Sequence, residues 1–175
     1  MAVSGSEDGT VNVYTIKEGQ YIRTLEPINT IGPGITDSKR MDTQKGLEIC
    51  PPSQIIKDFT VAQLQLSYQG HVVFTGHGKQ VHSIQTFTMN GHHLHSSPVG
   101  HRITSLVVQD DFIFCGDENG DLILRDLFTG KTLHSLPLHL PIQAVMLVPG
   151  LSHALVPLRD GKLVVVGTFH TTRKT

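Results

Sequence analysis

The feature that most constrains this chain is a unit that recurs about every 40 residues. Gly91 and Gly130 each follow an alternating apolar run and precede a short polar-apolar segment, Gly91-His92-His93-Leu94-His95 and Gly130-Lys131-Thr132-Leu133-His134. Gly120 and Gly161 repeat at nearly the same interval. The best-formed copy runs from Arg102 to Leu136. Its expected strands are Ile103 to Val108, Phe112 to Cys115, Leu122 to Leu127 and Thr132 to Leu136. Asp110-Asp111, Glu118-Asn119-Gly120 and Thr129-Gly130 separate them as turns. Asn-Gly between β runs supplies the positive φ that a tight two-residue hairpin of the correct twist requires.

The next unit follows the same plan, with Ile142 to Val148, His153 to Pro157, an Asp160-Gly161 hairpin and Leu163 to Val166, but it lacks a clear fourth strand. An earlier and poorer copy comprises Val61 to Ser67, His71 to Thr75, His82 to Thr88 and His92 to Ser96. The chain opens partway through a unit, with Ala2 to Ser4, the Asp8-Gly9 hairpin, Val11 to Tyr14 and Tyr21 to Leu25. Four strands in about 40 to 45 residues make one propeller blade. The expected fold is therefore all-β, a partial β-propeller of about three and a half four-stranded antiparallel blades. The divisions are a partial blade at 1–25, a loop insertion at 26–58, and a degenerate blade at 59–97. A well-formed blade at 98–136, an incomplete final blade at 137–167 and a tail at 168–175 follow. The insertion holds Pro27, Gly32, Pro33, Gly34, Pro51 and Pro52 with no sustained period, and is expected to be mobile.

Composition narrows the function classes. The formal net charge is -1, and the basic residues Lys39, Arg40, Arg102, Lys131, Arg173 and Lys174 are scattered rather than striped. Nucleic acid is not an expected partner. No apolar run approaches the roughly 18 residues of a membrane span, and the N-terminus lacks the parts of a signal peptide, so a soluble, intracellular protein is expected. Two cysteines, Cys50 and Cys115, stand far apart without a CxxC spacing, which suggests neither a disulfide framework nor a thiolate zinc site.

The segment Ser4-Gly5-Ser6-Glu7-Asp8-Gly9-Thr10-Val11-Asn12-Val13-Tyr14 is similar to the WD-repeat signature, in which an Asp-Gly hairpin leads into a strand ending in Trp-Asp. Tyr14, Arg125 and Val166 occupy the tryptophan slot, and only Arg125 is followed by the acid, Asp126. Gly100-His101 stands where the family places a Gly-His pair. That resemblance implies a structural hydrogen-bonded brace involving His101 and Asp126, degenerate here because Asn119 occupies the turn-aspartate position. The stretch Ser152 to Val166, with Phe87-Thr88-Met89-Asn90-Gly91-His92-His93-Leu94, resembles the C-terminal propeller of BEACH-domain proteins, neurobeachin-like branch. The likeness covers nearly the whole chain outside the insertion. It implies a piece or short form of a large scaffold acting in vesicle trafficking and protein sorting. It also implies a cytosolic location peripheral to intracellular membranes, with membrane association only through the parent protein.

Residues that suggest chemistry have plainer readings. His93 and His95 share a strand face and could together hold a metal ion, but carboxylate and thiolate ligands are missing nearby. Asp110-Asp111 reads as a turn rather than a catalytic pair. Gly32-Pro33-Gly34 has neither the strand before it nor the helix after it that a phosphate cradle needs. No catalytic, cofactor or metal site is therefore expected, and the chain is read as a non-enzymatic binding scaffold. The candidate protein-binding residues lie in the second-to-third-strand hairpins and the connections between blades: Glu7, Asp8, His77, Lys79, Arg102, Asp117, Glu118, His139 and Arg159. Their charges are mixed with an acidic tilt, which favours a basic or mixed peptide or domain. The expected partners are trafficking proteins or the parent protein's own BEACH module.

Overall fold

The computed structural model describes residues 1–29, 54–55, 58–78, 82–148 and 153–167. These residues are all β, with no helix. The first sheet holds β1 (Ala2–Gly5), β2 (Val11–Tyr14) and β3 (Tyr21–Leu25), paired in that order. A two-residue ladder follows, β4 (Ile28–Asn29) on β5 (Gln54–Ile55). The second sheet is a four-strand meander of β6 (Thr60–Leu66), β7 (His71–His77), β8 (His82–Thr88) and β9 (His93–Val99). The third repeats it with β10 (Ile103–Gln109), β11 (Phe112–Asp117), β12 (Asp121–Asp126) and β13 (Thr132–Pro137). The fourth has β14 (Met146–Leu147), β15 (His153–Pro157) and β16 (Leu163–Gly167). Every pairing is antiparallel, and no sheet closes on itself. The chain is a partial propeller.

The sheets pack face to face, and the core lies in the seams between consecutive blades. Val11, Val13, Phe59, Phe74 and Phe87 fill the first seam. Val73, Ile84, Ile103, Leu106, Ile113, Cys115 and Leu127 fill the second. Phe114, Leu122, Ile142, Val145 and Val156 fill the third. Successive side chains of a strand point to opposite faces, so Phe74 enters the first seam and Val73 the second. A middle blade is thus buried on both faces, which is why Val72-Val73-Phe74 reads as a continuous apolar run rather than an alternating one. In the first seam Phe74 stacks on Phe87 at 5.7 Å and meets Phe59 edge-on at 6.3 Å. Aromatic pairs of this kind contribute about 0.5–1.5 kcal/mol beyond the area they bury.

The Asn119-Gly120 hairpin, expected as a two-residue turn, is a three-residue connection between Asp117 and Asp121, with the Gly120 amide donating to Asp117 O and Gly120 at φ 96°. The Gly9 and Gly161 hairpins share the pattern: Gly9 donates to Ser6 O and Gly161 to Leu158 O, each glycine at φ 87°. The expected strand Ile142 to Val148 is also broken. Ile142 bridges Leu158, but Val145 turns its amide to the Ser105 hydroxyl of the neighbouring blade at 2.9 Å, and regular pairing resumes only at Met146. Pro157 on the facing strand has no amide to offer there, so a full ladder is not available.

Most of the insertion expected at 26–58, and the tail at 168–175, lie outside the described residues. Where the insertion leaves the first blade it is held by Gln85. This fully buried side chain donates from Nε2 to Ile28 O at 3.0 Å and to the Ser96 hydroxyl at 2.8 Å.

Candidate protein-interaction rim

Because all four sheets run in the same sense, their second-to-third-strand hairpins gather at one end of the arc. Glu7 and Asp8 lie between β1 and β2, Glu118 between β11 and β12, and Arg159 between β15 and β16, all exposed. Arg102 and His139 sit at the same end in the links between blades, also exposed. Within the blades the Glu118 amide donates to Arg102 O at 3.1 Å, the Arg102 amide to Glu118 Oε1 at 3.2 Å and the Arg159 amide to Pro141 O at 3.0 Å. Between blades the Val61 amide donates to Ser6 O at 3.3 Å and the Ile142 amide to Asp117 O at 3.2 Å. His77 lies at the end of β7 and is half-buried. Lys79 lies outside the described residues.

Three residues do something other than expected. Asp117 does not offer its charge to a partner: it is 3% exposed. Its Oδ1 accepts the amides of Asn119 at 3.1 Å, Gly120 at 2.9 Å and Asp121 at 2.8 Å, which caps the hairpin from inside. The turn aspartate is therefore present, at 117 rather than at the 119 position where Asn stands. Its signal was legible in the sequence, since Asp117 and Ser6 each precede the hairpin glycine by three, the spacing of a side chain that bonds its own turn.

His101 and Asp126 do not form a brace with each other. His101 is exposed just before β10, whereas Asp126 ends β12 at the opposite end of the blade. Asp126 instead caps the turn into β13, accepting the amides of Phe128 at 3.1 Å and Thr129 at 2.7 Å and the Thr129 hydroxyl at 2.8 Å. These bonds, led by the Thr129 hydroxyl, hold its carboxyl below the usual carboxylate range. Asp8 is lowered for the same reason by the hydroxyl and amide of Thr10, and Asp160 by Lys162 at 2.8 Å. With Asp117 internal and Asp160 paired to Lys162, the acidic tilt of the rim narrows to Glu7, Asp8 and Glu118 against Arg102 and Arg159.

His93 and His95 are structural. His95 Nε2 donates to Leu127 O at 2.9 Å, across the second seam, and His93 packs edge-on against Phe87 at 5.0 Å. Burial lowers both pKa values, and Arg125 adds to the effect at His95. Among the described residues no group of three or more His, Cys, Asp or Glu is gathered as a metal site. Cys115 is fully buried, and burial pushes its thiol up to about 12, which makes it inert as a nucleophile.

Comparison with known proteins gives a distant relative and a clear fold. No family model matches the chain. It is 28% identical over 131 residues to BEACH domain-containing protein B of Arabidopsis thaliana, an alignment covering 74% of this chain but 4% of that protein. Two solved structures resemble it closely in shape. The computationally designed Ika4 protein matches with a TM-score of 0.64 at 18% identity, over 95% of this chain and 84% of that one. The designed Ika8 protein matches at 0.63 and 18%, over 95% of this chain and 42% of that one. The designed proteins speak for the fold alone. The sequence likeness is to a short part, 4%, of a BEACH domain-containing protein.

Proposed function

We propose that this chain is a non-enzymatic interaction scaffold, part of the WD-type propeller of a neurobeachin-like BEACH protein, which recruits other proteins during vesicle trafficking and sorting at cytosolic membrane surfaces. The observation that carries this reading is the rim. Glu7, Asp8, Glu118 and Arg159 on hairpins, and Arg102 on a link between blades, are exposed at one end, where Ser6 O accepts from Val61 and Asp117 O from Ile142 of the following blade. Loops held by a rigid scaffold are where binding specificity resides. The mixed charge suits a polypeptide partner better than nucleic acid or an anionic bilayer.

A second reading rests on a different surface. The last strand, β16, turns Leu163 and Val165 outward at 58% and 57% exposure. Such a face suits docking against another part of a longer protein. A pull-down from cytosolic extract separates the two. Glu7→Lys, Glu118→Gln and Arg159→Glu together remove partners if the rim recruits, while Lys17→Glu, Glu18→Lys and Lys131→Glu at the opposite end leave them. Exposed turn residues usually change stability by no more than about 0.5 kcal/mol, so both sets are compared at matched thermal midpoints. Equal loss from both, or loss from neither, turns the reading toward intramolecular docking.

A further inference from the structure

The chain contains two Asn-Gly pairs, Asn90-Gly91 and Asn119-Gly120, and both sit in hairpins of one plan. Each glycine takes a positive φ, 84° at Gly91 and 96° at Gly120. Each also donates its amide to the carbonyl three residues back, to Thr88 O at 2.9 Å and to Asp117 O at 3.3 Å. Asn-Gly is a dipeptide especially open to deamidation, because glycine has no side chain to shield its amide nitrogen from the asparagine side-chain carbon before it. That nitrogen attacks only after losing its proton. The rate therefore follows how well the surroundings stabilise negative charge on the peptide group.

The two pairs have electrostatically opposite surroundings. At Asn119-Gly120 the Gly120 amide also donates to the Asp117 carboxylate at 2.9 Å, and Asn119 Nδ2 donates to Asp121 Oδ2 at 3.2 Å. One carboxylate holds the proton on the nucleophile and opposes an anion there, while the other restrains the side chain under attack. At Asn90-Gly91 the oxygen of the reacting peptide group, Asn90 O, accepts instead from Arg23 Nη1 of the preceding blade. Arg23 lies so closely over the turn that a Cβ at Gly91 would come within 2.8 Å of Nη1. Among the described residues Arg23 has no carboxylate partner, and the exposed Asn90 side chain makes no hydrogen bond. A guanidinium bonded to a peptide oxygen stabilises the imidate that forms when the nitrogen gives up its proton.

We propose that Asn90 is a site of spontaneous deamidation promoted by Arg23. The Gly91 nitrogen passes its proton to water and bonds to Asn90 Cγ, and the side-chain nitrogen leaves as ammonia, closing a succinimide. Water then opens either carbonyl of the ring, giving aspartate or isoaspartate. The net change is amide plus water to carboxylate plus ammonium. The new carboxylate stands beside a guanidinium at the join of the first two blades, and the isoaspartyl form adds a methylene to the main chain of the hairpin that Arg23 covers. The join is thereby altered irreversibly, independently of what the rim binds.

The test incubates the full chain at neutral pH, digests samples under acid conditions, and measures the deamidated fraction of the peptides spanning Asn90 and Asn119 by mass spectrometry. Asn90 converts at least fivefold faster than Asn119. In guanidinium chloride, which frees both pairs from their surroundings, the two rates converge. Arg23→Gln, which keeps a neutral donor, slows Asn90 threefold or more and leaves Asn119 unchanged, while Arg23→Lys, which keeps the charge, slows it less. An unchanged or faster rate at Asn90 in Arg23→Gln overturns the proposal, because a residue that only holds the turn still protects the site. Conversion of Asn119 as fast as that of Asn90 in the folded parent overturns it as well. That comparison needs no substitution, so it decides the matter even where Arg23→Gln fails to fold.

Discussion

The imidazole of His95 reaches the carbonyl of Leu127 at 2.9 Å, which joins the outer strand of one blade to the turn of the next. With its Nε2 proton given to that carbonyl, Nδ1 is left as an acceptor 3.3 Å from the Ser97 hydroxyl. What disfavours the imidazolium here is burial, with Arg125 adding to it.

Stability should therefore depend on pH in a definite direction. The folded pKa values of His93 and His95 lie below the ordinary 6.5, so the unfolded chain takes up protons first as pH falls. Stability is complete above about 6.5 and declines as pH drops from there toward the folded values. Thermal melts from pH 7.5 to 5 should show a falling midpoint, and His95→Gln, which keeps a donor for Leu127 O, should flatten the decline. An identical slope in the variant would mean that other groups are responsible.

Asp117 should behave as a cap and not as a contact residue. Asp117→Ala removes the carboxylate that accepts three hairpin amides, leaving those of Asn119 and Asp121 without it and Gly120 with only Asp117 O, a loss of about 1–3 kcal/mol. Asp117→Asn keeps an acceptor oxygen and should cost less. Chemical denaturation of both variants measures this directly. Equal stability of Asp117→Ala and the parent would refute the capping role.

Two glycines separate backbone strain from seam packing. Gly19 and Gly130 have φ of 62° and 68°, so alanine is strained at both. A side chain at Gly19 meets nothing within 4 Å, whereas one at Gly130 collides with Ser97 Oγ and His95 Nδ1. Gly19→Ala should cost about 1–2 kcal/mol, and Gly130→Ala clearly more. If the two substitutions cost the same, the seam contact at Gly130 is unimportant.

The open face of β16 should make the chain associate with itself. Among the described residues β16 is an edge strand on which Leu163 and Val165 stand out, an arrangement that templates pairing unless charge interrupts it. Sedimentation across a hundredfold concentration range should show reversible association, weakened in Leu163→Lys/Val165→Lys. A monomer at every concentration would show that the edge is already protected.

The blade plan was readable because its signals are local. Strands at Val11–Tyr14, Tyr21–Leu25, His82–Thr88 and His153–Pro157 fall where alternation and turn glycines place them. Ladder pairing needs only neighbouring segments of one meander, so periodicity and hairpin chemistry suffice. Which side chains a seam consumes is a different matter, since it depends on residues some 40 positions away in the next blade. Asp117 reads as a rim charge until its hairpin folds over it, and His101 and Asp126 read as a pair until the meander carries them to opposite ends. Sequence by itself determined the strands and their order. Only the tertiary structure decided which polar groups are satisfied inside, since burial and partner distance arise when the blades close on one another.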